Sequence, residues 1–136
     1  MKCRIILELL AILFFTGCYN REQISRLDEA EALIQNKPDS ALTILQQLKS
    51  EGSQAEQARY ALLYSEALDK NHIKATNDSL IRRAWEYYKH HPKDLRRQCK
   101  TLYYWGRVKL RAGDKPGALR LFLEIEEKLK DTNEPY

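Results

Sequence analysis

The chain has 136 residues, which is enough for one domain at most. Its formal net charge of +4 is only mildly basic. The sequence contains no G-x-S-x-G motif, no glycine-rich phosphate loop and no H-E-x-x-H motif, so it predicts neither an enzyme nor any catalytic residue.

The amino end has the layout of a secretion signal. Lys2 and Arg4 precede an apolar run from Ile5 to Phe15, which is interrupted by Glu8. This run of 11 residues is too short for a membrane-spanning helix, which needs about 20 residues. Residues 1–17 are therefore predicted to be a signal peptide.

Cys18 follows this segment directly, and the stretch Phe15-Thr16-Gly17-Cys18 resembles the bacterial lipobox. The resemblance implies that Cys18 is acylated, as with palmitate, and becomes the first residue of a lipoprotein. Two or more acyl chains anchor a protein stably to a membrane. A cysteine that happens to follow a simple signal or a short anchor is the alternative.

The other two cysteines are Cys3 and Cys99. Cys3 would leave with the signal peptide, so Cys99 would have no partner for an intramolecular disulfide. Because Cys99 falls on an apolar helix face, it is predicted to be a small buried hydrophobe rather than a reactive thiol.

Beyond a tether at 18–21, apolar residues recur at spacings of three and four, which predicts helices and no strands. Pro38, the "EGS" stretch at 51–53, Pro92 and Gly113 interrupt the pattern. Six helices are expected, at about 21–36, 39–50, 54–70, 78–90, 93–112 and 115–130, and residues 131–136 form a tail.

The even-numbered helices are similar to one another in sequence. The segments "PDSALTILQQL", "NDSLIRRAWEY" and "KPGALRLFLEI" align with Ala41, Leu80 and Ala118 at one position, 39 and 38 residues apart. Such a period with two helices per unit is typical of an α-solenoid. The predicted fold is therefore all-α, with antiparallel helix pairs stacked at about 22–50, 54–90 and 93–130.

The third unit, "YYWGRVKLRAGDKPGALRLF", resembles a tetratricopeptide repeat through Trp105-Gly106, Gly113, Ala118 and Phe122. The resemblance implies that glycine and alanine let the two helices of a pair approach closely and that the aromatic residue fills the gap to the next pair. It covers residues 95–126 well and the earlier units weakly, where Ala41 and Leu80 hold equivalent positions.

The whole layout is similar to a group of lipoproteins from Bacteroidetes. The segments that carry this similarity are the lipobox, "PDSAL", "DSLI" and "YYWGR". The resemblance implies an interaction scaffold in the cell envelope. Because "YNRE" after the cysteine lacks the acidic cluster that marks surface export in some of these bacteria, the expected location is the periplasmic side of the outer membrane.

The segment 89–120 contains ten basic residues and only two acidic ones, Asp94 and Asp114. A stripe of residues spaced by three or four lies along the fifth helix: Arg96, Lys100, Tyr103, Arg107 and Arg111. In tetratricopeptide proteins the matching positions line a groove, so the stripe is a candidate site for an acidic peptide or a chain-terminal carboxylate. A solvated face, or one facing anionic lipid, is the alternative.

His90 and His91 are adjacent and therefore point in different directions on a helix, so no metal site is expected. The leading hypothesis is a membrane-anchored scaffold that binds a partner protein or acidic peptide, without cofactor or small-molecule substrate. The alternative is the amino-terminal sensory or regulatory part of a longer envelope signalling protein. Nucleic-acid binding is disfavoured because the chain is expected to be exported.

Overall fold

The computed structural model describes residues 21–75 and 77–130, and within them the chain forms six α-helices and no strand. The helices are α1 (21–33), α2 (Pro38–Gln47), α3 (Gln54–Lys70), α4 (Ser79–Tyr88), α5 (Leu95–Arg111) and α6 (Lys115–Lys130). The expectation of an all-helical protein is thus confirmed. The predicted signal peptide, Cys18, most of the tether and the tail at 131–136 lie outside the described residues.

Short polar side chains begin three of the helices by accepting hydrogen bonds from the first turn. Ser53 Oγ accepts from the Glu56 amide at 3.2 Å, and the Asp94 carboxylate accepts from the Arg97 amide at 3.3 Å. Asp114 does the same for α6. These bonds satisfy backbone donors that have no partner inside the helix.

Four helix boundaries differ from the prediction by two or three residues. Helix α1 ends at 33 because the chain turns there, with the Lys37 amide donating to the Leu33 carbonyl at 2.7 Å. Helix α2 ends at Gln47 because Leu48 adopts an extended backbone with φ −81° and ψ 150°. Helix α4 ends at Tyr88 rather than 90, and α5 begins at Leu95 rather than 93.

Two hydrophobic clusters form the core, and α3 contributes to both. The first joins α1, α2 and α3 and the second joins α3, α4 and α5. Leu63 and Ala67 face the first cluster, whereas Ala61 and Leu62 face the second. Helix α3 therefore lies between the two halves of the core and links them.

The inward face of α1 differs from the prediction at one position. Ile24, which was expected to point inward, is 37% exposed, while Gln23 is buried. Gln23 Nε2 donates to the Glu51 carbonyl at 2.6 Å, which ties the start of α1 to the loop after α2. A side-chain amide that has a hydrogen-bond partner can occupy a buried position at the margin of the core in place of an apolar side chain.

Helices α5 and α6 form a closely packed antiparallel pair. A Cβ atom placed on Gly106 would lie 2.4 Å from Phe122 Cε1, so the phenyl ring occupies the space that a side chain at 106 would need. Ala118 is fully buried. Gly113 has φ +85°, a left-handed conformation that favours glycine, and it ends α5 before α6 begins.

Among the described residues, we find no helix with the length and apolar character needed to cross a membrane.

Candidate functional site

Helices α1, α3 and α5 are joined by ion pairs along one face of the molecule, which we call the α1–α3–α5 face. At one end of this face, Arg59 on α3 contacts two carboxylates on α1. Its Nη2 atom lies 2.7 Å from Asp28 Oδ1, and its Nε atom donates to Glu31 Oε2 at 2.9 Å. Arg97 on α5 lies 3.6 Å from the other oxygen of Glu31 and pairs with Asp94 at 3.0 Å.

The middle of the face contains Glu66, whose side chain is fully buried. Its Oε2 atom lies 2.6 Å from Lys100 Nζ on α5, and its Oε1 atom accepts from Gln35 Nε2 at 2.9 Å. Burial, together with the charge of Glu66 and a hydrogen bond to it, raises the pKa of Tyr104. Since a buried carboxylate is costly unless it is paired, these contacts fix how α3 meets α5.

The other end of the face contains Asp69, near the carboxyl terminus of α3. Its Oδ1 atom lies 3.2 Å from Arg107 Nε and 2.9 Å from Arg111 Nη2. Arg111 also donates to the backbone carbonyls of Asp69 and Ile73. Hydrogen bonding to Asp69, and the charge of that carboxylate, raise the pKa of Arg107. Cations in this position also interact favourably with the helix dipole.

Three members of the predicted basic stripe therefore contact acidic residues of the same chain. Lys100, Arg107 and Arg111 all pair with α3, across 34 to 42 positions in sequence. Each of these side chains is still partly exposed, between 22% and 37%. The stripe thus holds two helices together, and only the outer parts of its cations face solvent.

Arg96 is the exception in this stripe. It is exposed, and its side chain forms no hydrogen bond or ion pair with any residue that the structure describes. It borders a cleft of about 70 Å³ between α1, α3 and α5. The other lining residues are the cations Arg59, Arg97 and Lys100, the carboxylate of Glu31, and Leu62 and Leu63.

Tyr103, one turn after Lys100 on α5, contacts aromatic rings rather than acidic residues of α3. Its ring centroid is 5.1 Å from that of Tyr104 and 6.1 Å from that of Phe122, so it packs toward α6. It remains 45% exposed. Tyr103 therefore borders the α1–α3–α5 face rather than lying within it.

Five of the six residues predicted for repeat packing occupy the core or its margin, whereas Gly113 is exposed and lies at the turn after α5. Gly106, Ala41 and Ala118 are buried, and Leu80 is half-buried beside both core clusters. Phe122 is half-buried against Gly106, so its ring fills space within its own helix pair.

Cys99 is half-buried rather than fully buried. Burial raises the pKa of its thiol, although the charge of Lys128 acts in the opposite direction. The thiol is therefore a weaker nucleophile at neutral pH than an exposed cysteine.

A polar cluster between α4 and α5 was not anticipated from the sequence. Trp105 Nε1 donates to Asp78 Oδ2 at 2.9 Å, and Lys109 Nζ lies 3.5 Å from the same oxygen. Burial opposes ionisation of Asp78, but the contacts with Trp105 and Lys109 outweigh it and lower the pKa. Asp78 is therefore used for a contact between helices, and Asn77 Oδ1 accepts from the Ser79 amide at the start of α4.

His91 is bonded within its own helix turn, with Nδ1 lying 2.7 Å from the Tyr87 carbonyl and the imidazole stacked on the Tyr87 ring. In residues 21–75 and 77–130 there is no group of three or more histidine, cysteine or acidic side chains that could hold a metal ion.

Comparison with known proteins gives no assignment. No family model matches the chain, no curated protein matches it, and no solved structure matches it.

Proposed function

We propose that this chain is a lipid-anchored protein of the bacterial cell envelope that binds a partner protein, through an acidic segment, on the α1–α3–α5 face. In this proposal the helices are stacked as tetratricopeptide-like pairs, α1 with α2, α3 with α4 and α5 with α6. The sharing of α3 between both core clusters and the close packing of Gly106 on Phe122 support this arrangement. The anchor would be acylated Cys18, and the proposal includes no catalysis, cofactor or metal.

The observation that carries the proposal is the unpaired cation at the cleft. An arginine side chain with no partner among the described residues can offer its N–H groups to a carboxylate, and arginine binds carboxylates in a bidentate manner. Arg97 and Lys100 line the same cleft as Arg96, and each of them already forms an ion pair with an acidic residue of the chain. A carboxylate that approaches Arg96 would therefore also meet the outer N–H groups of its neighbours.

The cleft offers little apolar surface next to these charges. Leu62 and Leu63 line it, but each side chain is only 2% exposed. The cleft volume of about 70 Å³ suits one side chain or a chain-terminal carboxylate and is far smaller than a typical cofactor site. The chemistry therefore favours a segment of another protein that presents an acidic group.

The test is a crosslinking pull-down from native membranes with the full chain as bait. Arg96→Glu reverses the free cation and should abolish recovery of the partner. Arg82→Glu is the matched control because Arg82 is also an exposed arginine, but it lies on α4 away from the cleft. Lys100 and Arg107 are poor probes because their substitution would break pairs within the fold.

Two outcomes would reject the proposal. Recovery of the same proteins with wild type and Arg96→Glu would exclude the cleft as the binding site. An intact mass without acyl chains at Cys18, in protein taken from the native membrane, would exclude the lipid anchor. Circular dichroism of both variants checks that their helices are retained.

A further inference from the structure

Two cations at the start of α5 have no side-chain partner within the described part of the chain. Lys93 and Arg96 are both exposed, and the side chain of neither forms a hydrogen bond or ion pair with a described residue. The carboxylates of Glu31 and Asp94 both pair with Arg97 instead. This end of α5 therefore carries positive charge that the described residues leave unpaired.

The segment that follows α6 is acidic. Residues 131–136, which we call the acidic tail, contain Asp131 and Glu134 and no basic residue. The two acidic residues are three positions apart, which is also the spacing of Lys93 and Arg96. The acidic tail therefore complements the start of α5 in the sign and number of its charges.

The register of α5 and α6 places the end of α6 beside Arg96. The ring of Phe122 occupies the space over Gly106, and its centroid lies 6.1 Å from that of Tyr103. The two helices are antiparallel, and each rises about 1.5 Å per residue. When equal numbers of residues are counted back along α5 and forward along α6 from these contacts, Arg96 is level with positions 129–132.

The acidic tail is long enough to reach Arg96. The axes of packed helices lie about 8–10 Å apart. Four residues beyond Lys130 span up to about 14 Å when extended. Glu134 can therefore pass from the end of α6 across the start of α5.

We propose that the acidic tail binds at the start of α5, with Asp131 and Glu134 paired to Lys93 and Arg96. The function proposed above, on which this inference rests, offers Arg96 to an acidic segment of a partner protein. The acidic tail would engage the same cation and cover it until a partner displaces the tail. The chain thus contains a competitor for its own binding site.

The strength of this contact suits a segment that has to be displaced. Exposed ion pairs are individually weak, and salt screens them. The connection through α6 makes the contact intramolecular, with an effective concentration of about a millimolar. A partner that makes further contacts at the cleft can therefore displace the acidic tail.

The experiment maps the acidic tail by photocrosslinking in the full chain, in detergent, with p-benzoylphenylalanine in place of Asn133. Mass spectrometry of the monomer band should find crosslinks to residues 93–100. Lys93→Glu/Arg96→Glu should lower their yield at least about threefold, because like charges then meet. Addition of Asp131→Lys/Glu134→Lys to that variant should restore the yield, since the charges are then exchanged.

Lys74→Glu/Arg82→Glu makes the same change in charge away from α5 and should leave the crosslinks unchanged. The proposal is overturned if the reversed variant crosslinks as wild type does, or if the charge exchange does not restore the yield. Crosslinks confined to a band of twice the mass would also overturn it, because the acidic tail would then contact a second copy of the chain.

Recovery of the partner in the pull-down separates this inference from the proposed function. Asp131→Asn/Glu134→Gln removes the charges of the acidic tail and should raise recovery at least about twofold. Equal recovery would overturn the role of the tail as a competitor. If Arg96→Glu recovers the same proteins as wild type, the proposed function fails, whereas the crosslinks still decide whether the tail binds at the start of α5.

Discussion

Glu66 and Lys100 form the most buried ion pair among the described residues, with Glu66 fully inaccessible to solvent. Removal of Lys100 would leave a buried carboxylate without its cation, and breaking such a pair costs about 3–5 kcal/mol. We therefore expect Lys100→Met to lower the free energy of unfolding by about 3 kcal/mol. Urea denaturation followed by circular dichroism measures this change.

The double variant Glu66→Gln/Lys100→Met separates the loss of a pair from the loss of packing. Because it removes the buried charge together with its cation, it should recover much of the lost stability. Arg96→Met is the matched control, since it removes a cation from the same helix that has no described partner, and should change stability by less than about 0.5 kcal/mol. Equal losses for Lys100→Met and Arg96→Met would contradict this account of Glu66.

The buried hydroxyl of Tyr88 should make the free energy of unfolding depend on pH in the alkaline range. Burial raises the pKa of its hydroxyl to about 12, whereas an unfolded tyrosine ionises near 10. Above pH 10 the unfolded state therefore loses a proton that the native state retains, so stability falls with rising pH and levels off above about 12.

Tyr88→Phe should reduce this slope, which urea denaturation at several alkaline pH values measures. Tyr104 and Tyr60, whose pKa values are also raised by burial, contribute to the remaining slope. Tyr103 has no comparable burial, and Tyr103→Phe is the control. An unchanged slope in Tyr88→Phe would show that the native hydroxyl ionises as it does in the unfolded chain.

At the scale of helices, Gly106 sets the distance between α5 and α6. Replacing a helix-interior glycine with alanine usually stabilises a helix by about 1 kcal/mol. Here the added Cβ would lie 2.4 Å from Phe122, so one helix must shift or the ring must turn. Overpacking of this kind costs about 1–3 kcal/mol, and we expect a net loss of stability for Gly106→Ala.

The combination Gly106→Ala/Phe122→Leu tests this cause, because the smaller side chain makes room for the methyl group. It should be more stable to urea than Gly106→Ala alone. Gly113→Ala is a useful comparison: its Cβ would meet nothing within 4 Å, and its cost of about 1–2 kcal/mol comes from φ alone. If Phe122→Leu gave no recovery, the ring would not be what excludes a side chain at 106.

Helices and their approximate ends could be predicted because their signals are local. Pro38, Pro92, Gly113 and Asp114 each act on the adjacent turn, whatever the tertiary fold. The turn after 33 and the extended backbone at Leu48 lack such a residue, so α1 and α2 were predicted to be too long.

The ion pairs of the α1–α3–α5 face could not be predicted in the same way. The pairs between helices join residues 28 to 66 positions apart, and each depends on which helices pack together. One signal was present: Glu66 falls four residues after Leu62 and five after Ala61 on the buried side of α3, where an acidic residue needs a cation nearby. Lys100 of the basic stripe on α5 is that cation. The stripe is therefore not a free surface, because part of it forms ion pairs with α3.

At the scale of the whole molecule, the two core clusters share α3. Unfolding of this helix would therefore expose apolar side chains of both clusters to water. This arrangement predicts cooperative unfolding of the two clusters, in contrast with repeats that unfold one at a time. Both tryptophans, Trp85 and Trp105, lie on α4 and α5, which contribute to the second cluster together with α3. Their fluorescence therefore reports on one half of the core, while circular dichroism reports on all the helices.

Leu45→Ala tests this coupling because Leu45 is fully buried in the first cluster, on α2. Loss of a buried leucine costs about 2–5 kcal/mol. If α3 couples the clusters, the urea midpoint from tryptophan fluorescence should shift as far as the midpoint from circular dichroism. Ile81→Ala in the second cluster is the matched variant and should also shift both midpoints together. A shift in circular dichroism with unchanged fluorescence would show that α1 and α2 unfold separately and that α3 does not hold the two halves together.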